Sequence, residues 1–435
     1  MLKNKKKYSC EDLQGSIYFG PNALRHCCQR FFVDGKMKGD VEILKVKSDE
    51  DINVDNIISA KKKIIDDLNS NKKTPCDGCP KLQYKKWENA DDIKINKISV
   101  EAHSKCNARC SYCSEMFYGG LNPNYDLNKM LFKFRESNFF DKNVAITWGG
   151  GEPVLLKNFK NIFKTFIESK YPKFQDIRVY SNSIIYSDLI HEYLDQGKII
   201  LTTSTDSGTQ ETYEKVRGVK KGFLEIFKNL KKYNTKKNGN IIIKYILTTD
   251  NHKNKEIDSF INLVKEHQLL NCDFEISTDY KFEKLDLNKS LSMVYFYNAL
   301  SSAGAKFVHF DDHVRKRLFK FFKENFSIKQ IEENKMFDNL RKYFDKNIIV
   351  WGTGRYADEI INNSFLFKKS KVAYYVDGVA KKNNSFISEK IYSPNKILTS
   401  DNPILIASST YWQEIYRTIL DLGVDKKRVI NTLII

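Results

Sequence analysis

Residues 103–120 read His-Ser-Lys-Cys-Asn-Ala-Arg-Cys-Ser-Tyr-Cys-Ser-Glu-Met-Phe-Tyr-Gly-Gly, with Cys106, Cys110 and Cys113 in a Cys-x3-Cys-x2-Cys loop. Cysteine thiolates are the usual ligands of iron–sulfur clusters, and a cubane takes one ligand per iron. Three closely spaced cysteines therefore hold three irons and leave the fourth open. An open coordination position separates a catalytic metal site from a closed structural one. A zinc ion is the simpler occupant, but zinc sites usually pair two short Cys/His spacings. This loop has no fourth ligand close by in sequence.

Five more of the nine cysteines lie in the first 95 residues: Cys10, Cys27, Cys28, Cys76 and Cys79. Cys76-Asp-Gly-Cys79 is a tight Cys-x2-Cys turn in which Gly78 permits the backbone reversal. That pair, Cys10 and one of Cys27 and Cys28 make four thiolates, the complement of a fully ligated cluster. The same ligands also describe a zinc knuckle. Val54, Ile57, Ile58, Ile64, Ile65 and Leu68 fall at helical spacing, so a helix separates the two cysteine groups along the chain. Cys272 stands at the opening of a strand. Its expected role is that of a small buried hydrophobe; the sharper alternative is a hydrogen-atom donor.

The elements that must position these residues repeat as strand and helix through residues 96–285. Strands are expected at 98–102, 144–148, 177–180, 199–204, 241–247 and 274–277, with amphipathic helices between, such as Phe223, Ile226, Phe227 and Leu230. Alternation of this kind builds a parallel sheet with helical crossovers. The strand ends carry polar turns. Trp148-Gly-Gly-Gly-Glu-Pro153 offers Gly150 and Gly151, which let a ligand approach the backbone, and Glu152, which accepts hydrogen bonds from an ammonium. Ser181-Asn182-Ser183 follows the next strand, and Ser204-Thr-Asp206-Ser-Gly-Thr follows the one after, leading to Arg217-Gly218.

The cysteine loop, with Tyr112 before its last thiol, resembles the signature of the radical S-adenosylmethionine (radical SAM) superfamily. The resemblance implies a partial (β/α)6 barrel, an α/β fold with its chemistry at the C-terminal ends of the strands. It implies a 4Fe–4S cluster on Cys106, Cys110 and Cys113, whose open iron chelates the SAM amino and carboxylate groups. Reductive cleavage of SAM then yields a 5′-deoxyadenosyl radical that abstracts a substrate hydrogen. Tyr112, Gly150, Gly151, Glu152, Asn182, Ser204, Asp206 and Arg217 occupy positions similar to those that bind SAM, with Glu152 on its amino group and Arg217 suited to its carboxylate. The four-thiol set is similar to SPASM or twitch auxiliary-cluster modules and implies a second 4Fe–4S cluster. It departs from them in preceding the barrel and in having fewer cysteines. A flavodoxin- or ferredoxin-type reductant is the implied partner.

Residues 341–435 change character. A buried strand at 347–351 runs into Gly352-Thr-Gly354-Arg-Tyr-Ala357, the phosphate turn of a Rossmann unit, and a second strand at 372–376 ends at Asp377, where a ribose-binding acid would sit. This stretch resembles Rossmann-like modules attached to polysaccharide and nucleotide-sugar enzymes, though fold alone does not establish ligand binding.

At 435 residues, 41% hydrophobic and 29% charged, the chain should hold about three cores at roughly 150 residues each. The expected domains are a cysteine-rich auxiliary module at 1–95, the barrel at 96–285, a helical connector at 286–340 and the Rossmann-like module at 341–435. Residues 1–8 are basic but no long apolar run follows, so no signal peptide is expected. No membrane span is expected either. Cysteine-rich and span-free, the chain reads as cytoplasmic, with its thiols committed to metal. A net charge of +18 raises nucleic acid, but the lysines are spread over solvated helix faces, as at 61–63 and 231–232, and no RNA-binding motif is present. The expected function is radical SAM oxidation or epimerisation of a sugar, nucleotide-sugar or related surface-polysaccharide intermediate. A peptide-modifying maturase and a tRNA-modifying enzyme are the alternatives.

Overall fold

The computed structural model describes residues 6–28, 30–87, 93–114, 119–235, 240–281, 284–378, 387–408 and 411–434. The chain divides into two compact units, Met1–Lys244 with Glu266–Leu269 and Asp279–Glu283, and Tyr245–Lys265 with Leu270–Thr278 and Lys284–Ile435. Among the described residues no helix is long and apolar enough to cross a membrane.

The first unit is built on a large, mostly parallel sheet. From residues 241–244 it runs through Ile199–Ser204, Lys173–Tyr180, Phe140–Trp148 and Ile95–Val100 to Ser16–Phe19, all parallel neighbours. Ala23–Arg25 and Glu42–Lys45 extend it antiparallel. Helices cover the sheet because strands buried on both faces need apolar partners. Trp148, 1% exposed, meets Phe159, Phe163 and Phe166 of the helix Phe159–Ile167 edge-on at centroid distances of 5.1–5.9 Å. The register pairs Val100 with Trp148, Trp148 with Val179, Tyr180 with Thr202 and Ser204 with Lys244. The strands therefore end together, and the loops that follow them emerge along one edge.

Strands over 98–102, 144–148, 177–180, 199–204 and 241–247 were expected, and each is found, most of them longer. The contribution of the first 95 residues was not. Ser16–Phe19 pairs Ser16 with Lys97 through Phe19 with Val100, so this stretch lends strands to the same sheet instead of standing before it.

In the second unit Asp273–Thr278 pairs in parallel with Phe307–Phe310. The latter is a strand inside a stretch read as helical, its four residues too few for periodicity to reveal. Cys272, 1% exposed, precedes Asp273–Thr278 as a buried small side chain. A separate parallel sheet orders Ile391–Tyr392, Lys371–Val376, Asn347–Trp351 and Ile404–Ile406. Ile349, Trp351, Val376, Ile404, Ile406 and Ile419 form its core.

Candidate functional site

The cysteine loop has little regular structure, and the strand ends hold it. Gly151 N donates to the His103 carbonyl at 3.0 Å and Glu152 N to the Lys105 carbonyl at 2.7 Å. From the other side Arg109 N donates to the Arg217 carbonyl and Ser111 N to that of Val216, both at 2.9 Å. The glycines follow from this packing. A Cβ on Gly151 would stand 2.1 Å from the Lys105 oxygen, and one on Gly150, at φ +87°, 2.9 Å from Glu101 Cα. At Gly218, φ +63°, it would meet the Arg109 oxygen at 2.4 Å. Backbone of residues 101–105 lies against Gly150 and Gly151, which is a second reason for glycine here beside the ligand approach expected from sequence.

Glu152 is 2% exposed. Its Oε1 accepts from Ser181 Oγ at 2.8 Å and its Oε2 from Asn182 N at 2.7 Å. Burial raises its carboxyl from the usual 4.5 to about 7, against those hydrogen bonds. Asn182 Nδ2 donates to Asn107 Oδ1 at 2.6 Å and lies 3.8 Å from Cys106 Sγ, which ties this turn to the first thiol. Ser183 holds φ +52°, a conformation for which glycine is the usual residue.

Tyr112, Asp206 and Arg217 form a buried triangle. Tyr112 Oη donates to Asp206 Oδ2, and Arg217 Nη1 donates to both. One end of the Arg217 guanidinium, Nη1, is therefore engaged within the protein. Among the described residues its Nε is buried without a hydrogen-bond partner, as are Tyr213 Oη and His103 Nε2. Tyr213 lies near enough to Cys106, Cys110, Asp206 and Arg217 to be influenced by their charges. Orphaned donors beside the thiols are what a small ligand carrying a carboxylate would pair with, so the residues fit SAM. Burial raises the thiols of Cys106 and Cys113, the latter to about 12; ligation must therefore expel protons. Ser204 ends its strand half-buried, and no bond in this network reaches it. Sequence reasoning missed His103 and Tyr213, since a single buried polar residue leaves no periodic signal.

The thiols of the second set lie within reach of one another's charge. Cys10 feels the charges of Cys27 and Cys79, and Cys76 those of Cys10, Cys27 and Cys79. Cys28 does not join them. It turns to Tyr18 and Glu101, whereas Cys27 packs with Cys76. The intervening helix, Val54–Asn69, brings the groups together: Ile64 and Leu68 pack against both the cluster of Cys10, Leu13, Ile65 and Ile93 and that of Cys27, Val41 and Cys76. Cys79 N donates to the Cys76 carbonyl at 3.0 Å, and Gly78 turns at φ +79° where a Cβ would meet Val33 at 2.6 Å. Among the described residues no three His, Cys, Asp or Glu side chains converge as the ligands of one ion. Lys61, read from sequence as solvated, is 0% exposed. Ile57, Lys61 and Ile65 recur at four-residue spacing on one helix face, a signal that was legible.

In the second unit Gly352, at φ +110°, lies so close to Ala407 that a Cβ would meet its oxygen at 2.6 Å, whereas nothing stands within 4 Å of one on Gly354. Gly354 precedes the helix Arg355–Asn363. Asp377 Oδ2 accepts from Thr353 Oγ1 at 2.6 Å, which joins the acid to the turn.

Residues 100–264 match the family described as the Radical SAM superfamily, and residues 344–430 the family described as C2185-like, N-terminal. A relative named GTP 3',8-cyclase from Clostridium botulinum is 30% identical over 188 residues, 40% of this chain and 54% of that protein. The chain thus spans about half the length of the curated relatives it matches. Among solved structures, Streptococcus suis SuiB bound to S-adenosylmethionine aligns with a TM-score of 0.41 at 16% identity, over 68% of this chain and 62% of that one. Native anSMEcpe with bound AdoMet aligns at 0.37 and 17%, over 47% and 59%.

Two outcomes are expected. Gly151→Ala should lower the melting temperature, by the equivalent of roughly 1–3 kcal/mol or more for overpacking against backbone, and should reduce iron retained on Cys106, Cys110 and Cys113. Gly149→Ala, whose Cβ would have only Tyr180 Cβ at 3.9 Å, should keep both; equal losses in the two variants would refute the packing argument. Cys27→Ala should remove the second metal centre while Cys28→Ala keeps it, as metal analysis after anaerobic reconstitution will show.

Proposed function

We propose that this chain is a radical SAM enzyme with two metal centres, one on Cys106, Cys110 and Cys113 and one on Cys10, Cys27, Cys76 and Cys79. The observation that carries the reading is the cysteine loop bonded through its backbone to the Gly-Gly-Glu turn and to Arg217-Gly218, within the segment matching the superfamily. A 4Fe–4S cluster and SAM are that superfamily's cofactors; bound at the three thiols, they supply a 5′-deoxyadenosyl radical that takes a hydrogen atom from substrate.

The chain's own residues bind and orient. Glu152, anchored by Ser181 and Asn182, presents a buried carboxyl to the SAM ammonium. The Arg217 Nε supplies a donor for the SAM carboxylate, while its Nη1 stays locked to Asp206 and Tyr112. The locked triangle keeps the guanidinium from swinging and so fixes the direction of that donor. Backbone laid against backbone around the loop holds the three thiols in place.

For the substrate, modification of a peptide takes precedence over a carbohydrate. A second thiolate centre within the same unit gives a radical formed on a peptide an electron acceptor or an anchor. The carbohydrate reading rests on residues 341–435 alone, and neither the family matched there nor the cyclase relatives carry a description that names a sugar. GTP, from the relatives' name, is the second candidate; tRNA rests on charge only.

Replacing Cys106, Cys110 and Cys113 together with Ala should remove one cluster, about four irons, and abolish 5′-deoxyadenosine formation under reductant. Persistent formation would overturn the assignment. Turnover of the reconstituted wild type with peptides, GTP and nucleotide sugars distinguishes the substrates by which one yields a modified product.

A pH dependence follows from Glu152. Because its carboxyl is raised, the ligand-free fold keeps a proton that the unfolded chain has lost between pH 4.5 and about 7, and folding stability from this group falls as pH rises across that window. A cationic ligand prefers the carboxylate, so SAM affinity should rise with pH up to about 7 and level off above. Glu152→Gln should weaken binding about 10- to 100-fold, as for a lost charge-assisted hydrogen bond, and erase its share of the pH dependence. Equilibrium SAM binding across that range checks both; an unchanged profile in the variant would exclude Glu152 as the group responsible.

A further inference from the structure

Lys61 has no part in the mechanism above, yet it is the most completely buried cation in the first unit's thiol region. It lies mid-helix in Val54–Asn69, 0% exposed, between Ile57 and Ile65 on the same face. Its Nζ donates to the carbonyls of Ser16 at 2.6 Å, Leu13 at 3.1 Å and Asp12 at 3.3 Å. These three bonds use all three ammonium hydrogens, and every acceptor is neutral. The nearest carboxylate is otherwise engaged, since Asp12 Oδ1 accepts from Ser16 Oγ at 2.9 Å and pairs with Lys97 at 3.4 Å. A buried ammonium without a facing anion is unfavourable, and natural cores rarely keep one. The groups whose charges reach Lys61 are Cys10, Asp12 and Cys27. Two of the three are thiols of the four-cysteine set. His26, beside Cys27, has its Nε2 4.0 Å from Cys76 Sγ, so a second polar group faces the same thiols.

We propose that Lys61 is the buried counter-ion of the second metal centre, its ammonium set to neutralise four thiolates held on a metal. The inference rests on the two-centre reading. A tetrathiolate site is anionic with either a zinc ion or a cubane, so the charge argument holds for both. The three carbonyls tie the cation to the Cys10 segment: they belong to the stretch carrying the helix Glu11–Gly15, which begins immediately after Cys10, whose Sγ accepts from Leu13 N at 3.3 Å. Lys61 therefore positions the Cys10 segment and balances its charge at once. With an iron–sulfur cluster in place, a fixed positive charge favours the reduced, more negative state and raises the reduction potential.

The test uses the full chain carrying Cys106→Ala, Cys110→Ala and Cys113→Ala, so that remaining metal reports the second centre alone. Lys61→Met removes charge and donors, Lys61→Gln keeps amide donors for the carbonyls without charge, and Lys61→Arg keeps the charge. Iron and zinc content, the rate of metal loss to a chelator and, for iron, the midpoint potential are measured on each. Met and Gln should release metal about ten-fold faster, the lower end of what loss of outer-shell partners costs, and an iron centre should shift to a more negative midpoint. Arg should stay near the wild type. Should Lys61→Met fail to fold, the Gln and Arg pair alone separates charge from packing. Retention and midpoint in Gln equal to those with Lys61 would overturn the proposal while leaving the centre itself in place. Absence of metal that depends on Cys27 would instead overturn the two-centre reading, and the proposal with it.

Discussion

The site depends on one constraint: a loop with almost no regular structure is held chiefly through its backbone. Residues 103–113 are fixed through carbonyls and amides of His103, Lys105, Arg109 and Ser111, and their partners are Gly151, Glu152, Val216 and Arg217. Backbone can approach backbone this closely only where no Cβ intervenes, which explains glycine at 151 and 218 before any ligand is considered. The sheet register supplies the rest. Because Val100, Trp148 and Val179 stand side by side, the turns that follow them reach the cysteine loop without long side chains.

Charge is handled locally around that loop. Asp206 is 0% exposed and its partner Arg217 is 3% exposed, a buried pair that is stabilising only with good geometry and further hydrogen bonds. Tyr112 supplies one of those bonds from inside the cysteine motif. The aromatic between the second and third thiols thus acts as a polar strut: it ties the cysteine loop to the strand-end acid and to the arginine at the end of the helix Gln210–Arg217. Glu152 is treated differently. Its burial outweighs its hydrogen-bond donors and the charge of Arg217, and so raises its carboxyl to about 7.

Much of this was legible in sequence, and the pattern of success has a physical cause. Strands and amphipathic helices report their burial through periods of 2 and 3.6, so the parallel repeats from 98 to 277 could be read residue by residue. The Cys-x3-Cys-x2-Cys loop and the Gly-Gly-Glu turn were legible because thiols and glycines at short spacing have few other reasons to be there. Long-range pairing was not. Nothing in Ser16–Phe19 announces that its partner is Ile95–Val100, and nothing in the dipeptide Cys27-Cys28 tells which thiol faces Cys76. Arg217 and Asp206 were each read singly, and the bond between them, eleven residues apart, was not. Lys61 was read by residue type, though its place between Ile57 and Ile65 pointed inward.

The strand pairing missed from sequence is also what relates the two thiol sets. Ser16–Phe19 follows the helix Glu11–Gly15, which begins at Cys10, and it lies in parallel register with Ile95–Val100, which leads into Cys106. Side chains alternate across a strand, so a one-residue slip in this pairing would turn Ile17 and Phe19 from one face of the sheet to the other. Both faces of this strand are buried, with Ile17 and Phe19 on one and Ser16 and Tyr18 on the other, so a slip would exchange two apolar side chains for a serine and a tyrosine. The strand pairing at residues 16–19 thereby sets where Cys10 stands relative to the strand that delivers Cys106. The cysteine-rich segment is in this way no loose appendage, because its first thiol is positioned by the same sheet that positions the Cys106–Cys113 loop.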